Sequence, residues 1–285
     1  MNKILVIGIV GESVFMKCDH FHKPGETIKV DNIYTEIGGK GFNQALTIKQ
    51  LGGNVLFTCA LGSDSIKDKI INDINKLEVP LKYFIDPNKQ SAYANILTNK
   101  DGDNQVSVYH GATLSIDNIN EIYQEIDNAE YILLQLEIPY EINLKIAKYA
   151  KAKNKTVILN PAPVCNIDEL LNYVDIITPN EIEAITLFGE DYQTKLIDRS
   201  FKTIITRGGK STVLIDKKVT LYDVEKVTPK DTTGAGDAFN GALVFNIAKG
   251  SNLSDSIKNA NVVAGHTVQY DFVLPGILDL KKIEN

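Results

Sequence analysis

The chain has 285 residues, 44% hydrophobic and 23% charged, fractions that exclude a disordered or fibrous protein. Thirty Lys and Arg against 36 Asp and Glu give a formal charge of −6, and the absence of a basic block argues against a nucleic-acid surface. Three cysteines (Cys18, Cys59 and Cys165) stand far apart without C-x-x-C spacing, as expected of a cytoplasmic protein with neither a disulfide framework nor structural zinc.

Along the chain, residues 3–10 (KILVIGIV) read as a buried first strand. Their apolar run of about seven residues is at the low end for a signal-peptide core and no A-x-A-like site follows, and no run approaches the roughly 20 residues of a membrane helix. A helix is predicted at 41–51, a strand at 55–61 and a helix at 64–77. Further strands follow at 131–136, 156–159, 175–178 and 203–206, and helices at 140–153, 181–188, 235–249 and 254–269. These strands are apolar almost throughout, as strands buried on both faces of a parallel sheet are. In 235–249, Ala235, Ala238, Phe239, Ala242 and Leu243 recur on one helical face. The alternation predicts an α/β fold, a three-layer sandwich with a mostly parallel central sheet. Residues 26–36 and 91–110 break the rhythm: they read as short strands with turn signals, including the KDGDN run at 100–104. They are expected to pair as a small β-sheet lid, drawn from about 12–36 and 91–111 of a single domain spanning 1–285.

The segment richest in chemistry is 231–243, DTTGAGDAFNGAL. Gly234, Ala235 and Gly236 open directly into a helix whose first-turn N–H groups and dipole make an anion site. Asp237 sits in that first turn. An acid beside an oxyanion cradle suits a base that deprotonates a hydroxyl as a phosphate arrives, while an acid stabilising a helix start is the plainer alternative.

DTTGAGDAFNGA resembles the C-terminal signature of the ribokinase-like (PfkB) family of carbohydrate kinases. Residues 38–45, GGKGFNQA, resemble the family's N-terminal motif. LQLE at 134–137, NPAP at 160–163 and TPNEIE at 178–183 follow in the family's order, together with PGET at 24–27 and TRGG at 206–209. The resemblance covers about residues 3–261 and implies transfer of the γ-phosphoryl group of ATP to a sugar hydroxyl, with Mg²⁺. It makes Asp237 the base and gives the oxyanion hole to Gly234, Ala235 and Gly236. It places Glu183 as an organiser of Mg²⁺ through water, and Asn180, Thr206, Gly208 and Asn261 at the nucleotide. Lys40 is implied to reach the transferred phosphoryl, or else to be a solvated lysine. Gly38, Gly39, Asn43 and Glu137 match the sugar site; for Glu137 the alternative is a strand-end acid held by a backbone cap. Asp231 and Thr233 match one side of a monovalent-cation site, which would make K⁺ an activator.

Two departures qualify the match. The family usually carries an aspartate after the first strand, where this chain has Ser13, with Gly11 nearby; one hydroxyl cannot give a charged bidentate clamp. Glu12 is expected to face away from the site, whereas Asp19 could reach it from a loop. The stretch after the last long helix, 268–275 (VQYDFVLP), lacks the glycine of the usual cation loop. The altered clamp leaves a nucleoside kinase of the same family as an alternative, with Phe15 or Phe42 as nucleobase walls, and a sugar- or nucleotide-sensing protein as another. A homodimer through exposed lid edges is expected. G-x-x-x-x-G-K-[ST] and G-x-G-x-x-G are both missing, so P-loop and dinucleotide-binding readings fail.

Overall fold

The computed structural model describes residues 2–101 and 103–282; Gly102 of the expected KDGDN turn and the ends of the 1–285 span lie outside the described residues. Nine strands form one sheet. They are β1 (Ile4–Ile7), β4 (Val55–Gly62), β5 (Leu81–Asp86), β8 (Tyr131–Gln135), β9 (Thr156–Asn160), β10 (Ile176–Ile177), β11 (Lys202–Ile205), β12 (Thr212–Ile215) and β13 (Val219–Tyr222). Their order is β13-β12-β11-β10-β9-β8-β1-β4-β5, parallel from β5 to β11 and closed by an antiparallel pair at the β13 edge.

Consecutive strand residues point to opposite faces. In β1, Ile4 and Val6 accordingly enter one core and Leu5 and Ile7 the other. The first core is closed by α1 (Lys40–Gln50), α2 (Ser65–Lys76), α7 (Ala235–Lys249), α8 (Leu253–Thr267) and α9 (Leu274–Leu278). The second is closed by α3 (Ile119–Asp127), α4 (Tyr140–Ala152), α5 (Glu181–Phe188) and α6 (Tyr192–Leu196). This is the three-layer α/β architecture expected from the sequence.

A separate four-stranded sheet has the order β3-β2-β6-β7, from β2 (Gly11–Cys18), β3 (Val30–Gly38), β6 (Ala92–Thr98) and β7 (Asn104–Tyr109). It occupies the segments read as the lid, with β2 running parallel to β6 in the middle. The first strand is shorter than expected: the chain leaves the large sheet after Ile7 and enters the lid at Gly11. The sequence reading did not include β5, β12, β13, α3 or α6. Among the described residues, no helix is long and apolar enough to cross a membrane.

Candidate active site

The C-terminal ends of β1, β8, β9, β10 and β11 lie side by side, so the residues that end or follow them form a row at one edge of the sheet. Ligands of open α/β sheets collect at such edges. Gln135 ends β8, Asn160 ends β9, and Thr178 and Thr206 follow β10 and β11. Above this row stands the start of α7. Gly234 caps it at φ 75°, a left-handed conformation that suits glycine, and a Cβ there would stand 2.6 Å from Val273 Cγ1. The helical ladder begins with the Ala238 N–H donating to Gly234 O at 2.9 Å, so the N–H groups of residues 235–237 precede it. That of Ala235 donates to Thr232 O at 3.3 Å.

Asp237 is 7% exposed, and both of its oxygens are held. Asn43 Nδ2 donates to Oδ2 at 3.0 Å and Gln44 Nε2 to Oδ1 at 3.1 Å. Both amides come from the first turns of α1, which Gly39 opens at φ 124°. Glu137, just past β8, accepts the Lys40 N–H at 2.8 Å and caps that helix. Burial, and then the nearby Asp237 charge, push the Glu137 carboxyl up to about 7. The same Asp237 charge raises the Lys40 ammonium, which also faces Glu137 and Glu183. The Lys40 side chain is half-buried among these carboxylates.

Two hollows meet here. A polar recess of about 500 Å³ is lined by Asn160, Thr178, Asn180, Glu183, Thr206 and Gly236, among others. A cleft of about 1050 Å³ under the lid is lined by Ser13, Gly38, Gly39, Asn43 and Glu137, among others. Lys40, Gly234 and Asp237 belong to both. Asn180 and Glu183 close a capping box at the start of α5, each accepting the other's N–H at 2.8 Å, and burial raises the Glu183 carboxyl.

Other expected residues lie elsewhere. Asn261 is buried in α8, its Oδ1 accepting from Thr212 Oγ1 at 2.7 Å, and lines neither hollow; nor do Gly208, Ala235 or Asp231. Asp231 Oδ1 accepts the Thr233 N–H at 2.8 Å, and the Val268 carbonyl accepts from Lys230 and Asp231. Asp19 does not reach the site: it is exposed and pairs with Lys100 at 3.1 Å. Glu12 pairs through its side chain with Lys69 of α2 at 3.1 Å, although the residue borders the cleft. Phe42 is wholly buried against Phe57, so it is core and no wall of the cleft; Phe15 does line it.

The sequence reading missed Glu36. It is the cross-strand partner of Ser13 and shares its face of the lid, so a carboxylate stands one strand away from the serine. Its oxygens accept the N–H groups of Val273 and Leu274 at 3.2 and 3.1 Å, and burial pushes its carboxyl up to about 7. Tyr34 stacks on Phe272 at 4.0 Å beside it. The lid is thus fastened to the segment that packs on Gly234. Gln44, Gln135, Asn160 and Asn240 were in the quoted motifs but had no assigned role.

Residues 1–273 match the pfkB family of carbohydrate kinases. The ribokinase of Staphylococcus aureus (strain COL) is 32% identical over 285 residues, covering 94% of each chain. The crystal structure of the Thermotoga maritima ribokinase superposes with a TM-score of 0.90 at 30% identity over the whole of both chains. The Arabidopsis thaliana ribokinase, solved with ribose and ATP, gives 0.85 at 26% identity over 99% of each chain. The chain belongs to the PfkB family of carbohydrate kinases and is an ATP-dependent carbohydrate kinase.

Proposed function

We propose that the kinase acts where the two hollows join, with nucleotide in the polar recess and sugar under the lid as a single-domain enzyme. The observation that carries this reading is that Lys40, Gly234 and Asp237 line both hollows, so groups bound in each would meet at those three residues. Asp237 takes the proton of the attacking hydroxyl. The first-turn N–H groups of α7, beginning at Gly234, Ala235 and Gly236, face the charge that develops on the phosphoryl oxygens. Because the Ala235 N–H is turned to Thr232, Gly236 and Asp237 carry most of that role. Lys40 neutralises the transferred group at the junction of the two hollows. Asn180 and Thr206 border the phosphates, with Gly208 and Asn261 further along the nucleotide.

On the sugar side, Gly38, Gly39 and Asn43 offer close backbone approach and an amide, Glu137 a carboxylate and Ser13 a single hydroxyl. The ribokinase relatives make pentoses the first candidates, and Ser13 makes ribose itself a substrate to be tested against other sugars. Nucleosides have less support, since Phe42 offers no wall. Glu183 fits Mg²⁺ through water: one of its oxygens holds the Asn180 N–H, and its carboxylate lines the recess. Mg²⁺ there would neutralise phosphate charge. Asp231 and Thr233 remain the candidates for a monovalent-cation site, with Asp231 Oδ1 already accepting the Thr233 N–H, and no step is assigned to potassium. The exposed β7 edge of the lid suits a homodimer.

The test is ADP release with Mg·ATP across pentoses, hexoses, sugar phosphates and nucleosides, with Asp237→Asn as comparison. The variant should lose roughly 10³-fold in kcat while binding nucleotide normally. Unimpaired turnover in it would overturn the assignment.

A further inference from the structure

We infer that Gln135 is a positioning residue for phosphoryl transfer, acting through Gln44 on Asp237; this rests on the reading of Asp237 as the proton acceptor. Gln135 and Gln44 are both fully buried. Gln135 Nε2 donates to Gln44 Oε1 at 2.6 Å, which fixes the sense of the Gln44 amide. Its carbonyl faces Gln135, and its NH₂ faces the other way, with contacts to Asp237 Oδ1 at 3.1 Å and Asn160 Oδ1 at 3.2 Å. Turned end for end, Gln44 would set a carbonyl oxygen against a carboxylate and against a second carbonyl. Asn160 is itself held, its Nδ2 donating to Thr178 O at 3.2 Å. Two consecutive amides, Asn43 and Gln44, grip the two oxygens of Asp237, and Gln135 determines which end of the second one Asp237 meets.

What sets Gln135 apart from packing is the bond it does not make. Its Oε1 is buried and accepts no hydrogen bond among the described residues. It is wedged where a Cβ on Gly41 would come within 3.0 Å, and one on Gly8 closer still. An unpartnered buried acceptor costs stability, so an apolar side chain of similar length would suit the core better. Among the described residues, the one bond its side-chain amide makes is the bond to Gln44.

Three charged groups face Asp237: Lys40 from the first residue of α1, Glu137 from beyond β8, and Glu183 from α5. Lys40 is the attractive one. Once the Gln44 donor is lost, the carboxylate turns toward that ammonium and away from the acceptor hydroxyl.

The experiment is a double-mutant cycle on the full chain, using the sugar with the highest wild-type rate in the panel above. Gln44→Met should lower kcat about 10- to 100-fold, the equivalent of one hydrogen bond to a charged group. Gln135→Met should lower it about 5- to 10-fold, because Gln44 keeps its donors but loses its orientation. KM for both substrates should hold within about twofold and melting temperatures within about 3 °C. The double variant should be no slower than Gln44→Met alone, since Gln135 then has nothing to act on. Independent multiplication of the two effects, or a Gln135→Met loss confined to KM or to melting, overturns the inference. An active Asp237→Asn variant would remove the base assignment beneath it; an inactive Asp237→Asn beside a Gln135→Met as fast as wild type would remove this inference alone.

Discussion

Glu36 gives the sharpest stability prediction. Burial raises its carboxyl from 4.5 to about 7, a gap equivalent to on the order of 3 kcal/mol between the protonated and ionised forms. A folded-state value above the unfolded one means that the native state binds the proton more tightly. The stabilisation is therefore complete below about pH 4.5 and is lost as the pH rises through about 7. Between pH 5.5 and 8.5, Glu36 should remove about 2 kcal/mol of stability. Glu137 titrates over the same range, so the wild-type curve alone cannot separate the two. Glu36→Gln can, because glutamine keeps an oxygen for the Val273 or Leu274 N–H and carries no charge at any pH. Urea unfolding at the two pH values should show the wild type losing about 2 kcal/mol more than the variant, or on the order of 4 °C in melting temperature. Parallel pH dependence in the two proteins would show that Glu36 is not buried against the 272–274 segment as described.

Gly234→Ala forces a side chain into a left-handed position 2.6 Å from Val273 Cγ1. Strain and overlap together should cost about 2–4 kcal/mol in unfolding measurements, with kcat falling further than KM rises; a stable, fully active variant would contradict the geometry of the α7 start. Glu183→Gln keeps an acceptor for the Asn180 N–H, so stability should change by less than about 1 kcal/mol. The Mg²⁺ concentration needed for half-maximal rate should nonetheless rise, and an unchanged requirement would move the metal elsewhere. Val106 and Val108 are 54% and 55% exposed on β7. Changing both to Glu should convert a dimer to a monomer in light scattering, and a wild-type monomer would end the dimer proposal; both residues also border the cleft under the lid, so oligomeric state and not kcat is the readout.

Sequence alone resolved those features whose meaning is local. Runs such as ILVI at 4–7 are apolar at every position because each residue enters one of two cores, and this is visible without knowing the partner strands. The glycine-rich opening of α7 is likewise local, set by backbone conformation within a few residues. β5 escaped because it is an edge strand with Tyr83 and Ile85 half in solvent, a strand by virtue of its neighbour β4. Glu36 was invisible for a related reason: its role depends on the register that sets it opposite Ser13 and on backbone N–H groups at 273 and 274.

The amide residues were legible as motif letters and illegible as a network, because the link between them is the strand order. β8, β9 and β10 are adjacent and parallel, so Gln135, Asn160 and Thr178 reach the same edge although 43 residues separate the first from the last. Thr178 Oγ1 donates to Asn240 Oδ1 at 2.5 Å, and Asn240 Nδ2 donates to Gly236 O at 2.8 Å, so the row also holds the first turn of α7. The sheet edge therefore reaches the first turn of α7 twice, at the Asp237 side chain through Gln44 and at the Gly236 carbonyl through Asn240. Amides suit this task better than charges, since each offers both a donor and an acceptor and leaves the net charge around Asp237 unchanged. A buried polar chain is costly wherever a member lacks a partner, as the Gln135 Oε1 does. Removing that acceptor offsets part of what an orphaned Gln44 carbonyl costs, so Gln135→Met should leave stability nearly unchanged while slowing turnover, unlike a truncation in either apolar core.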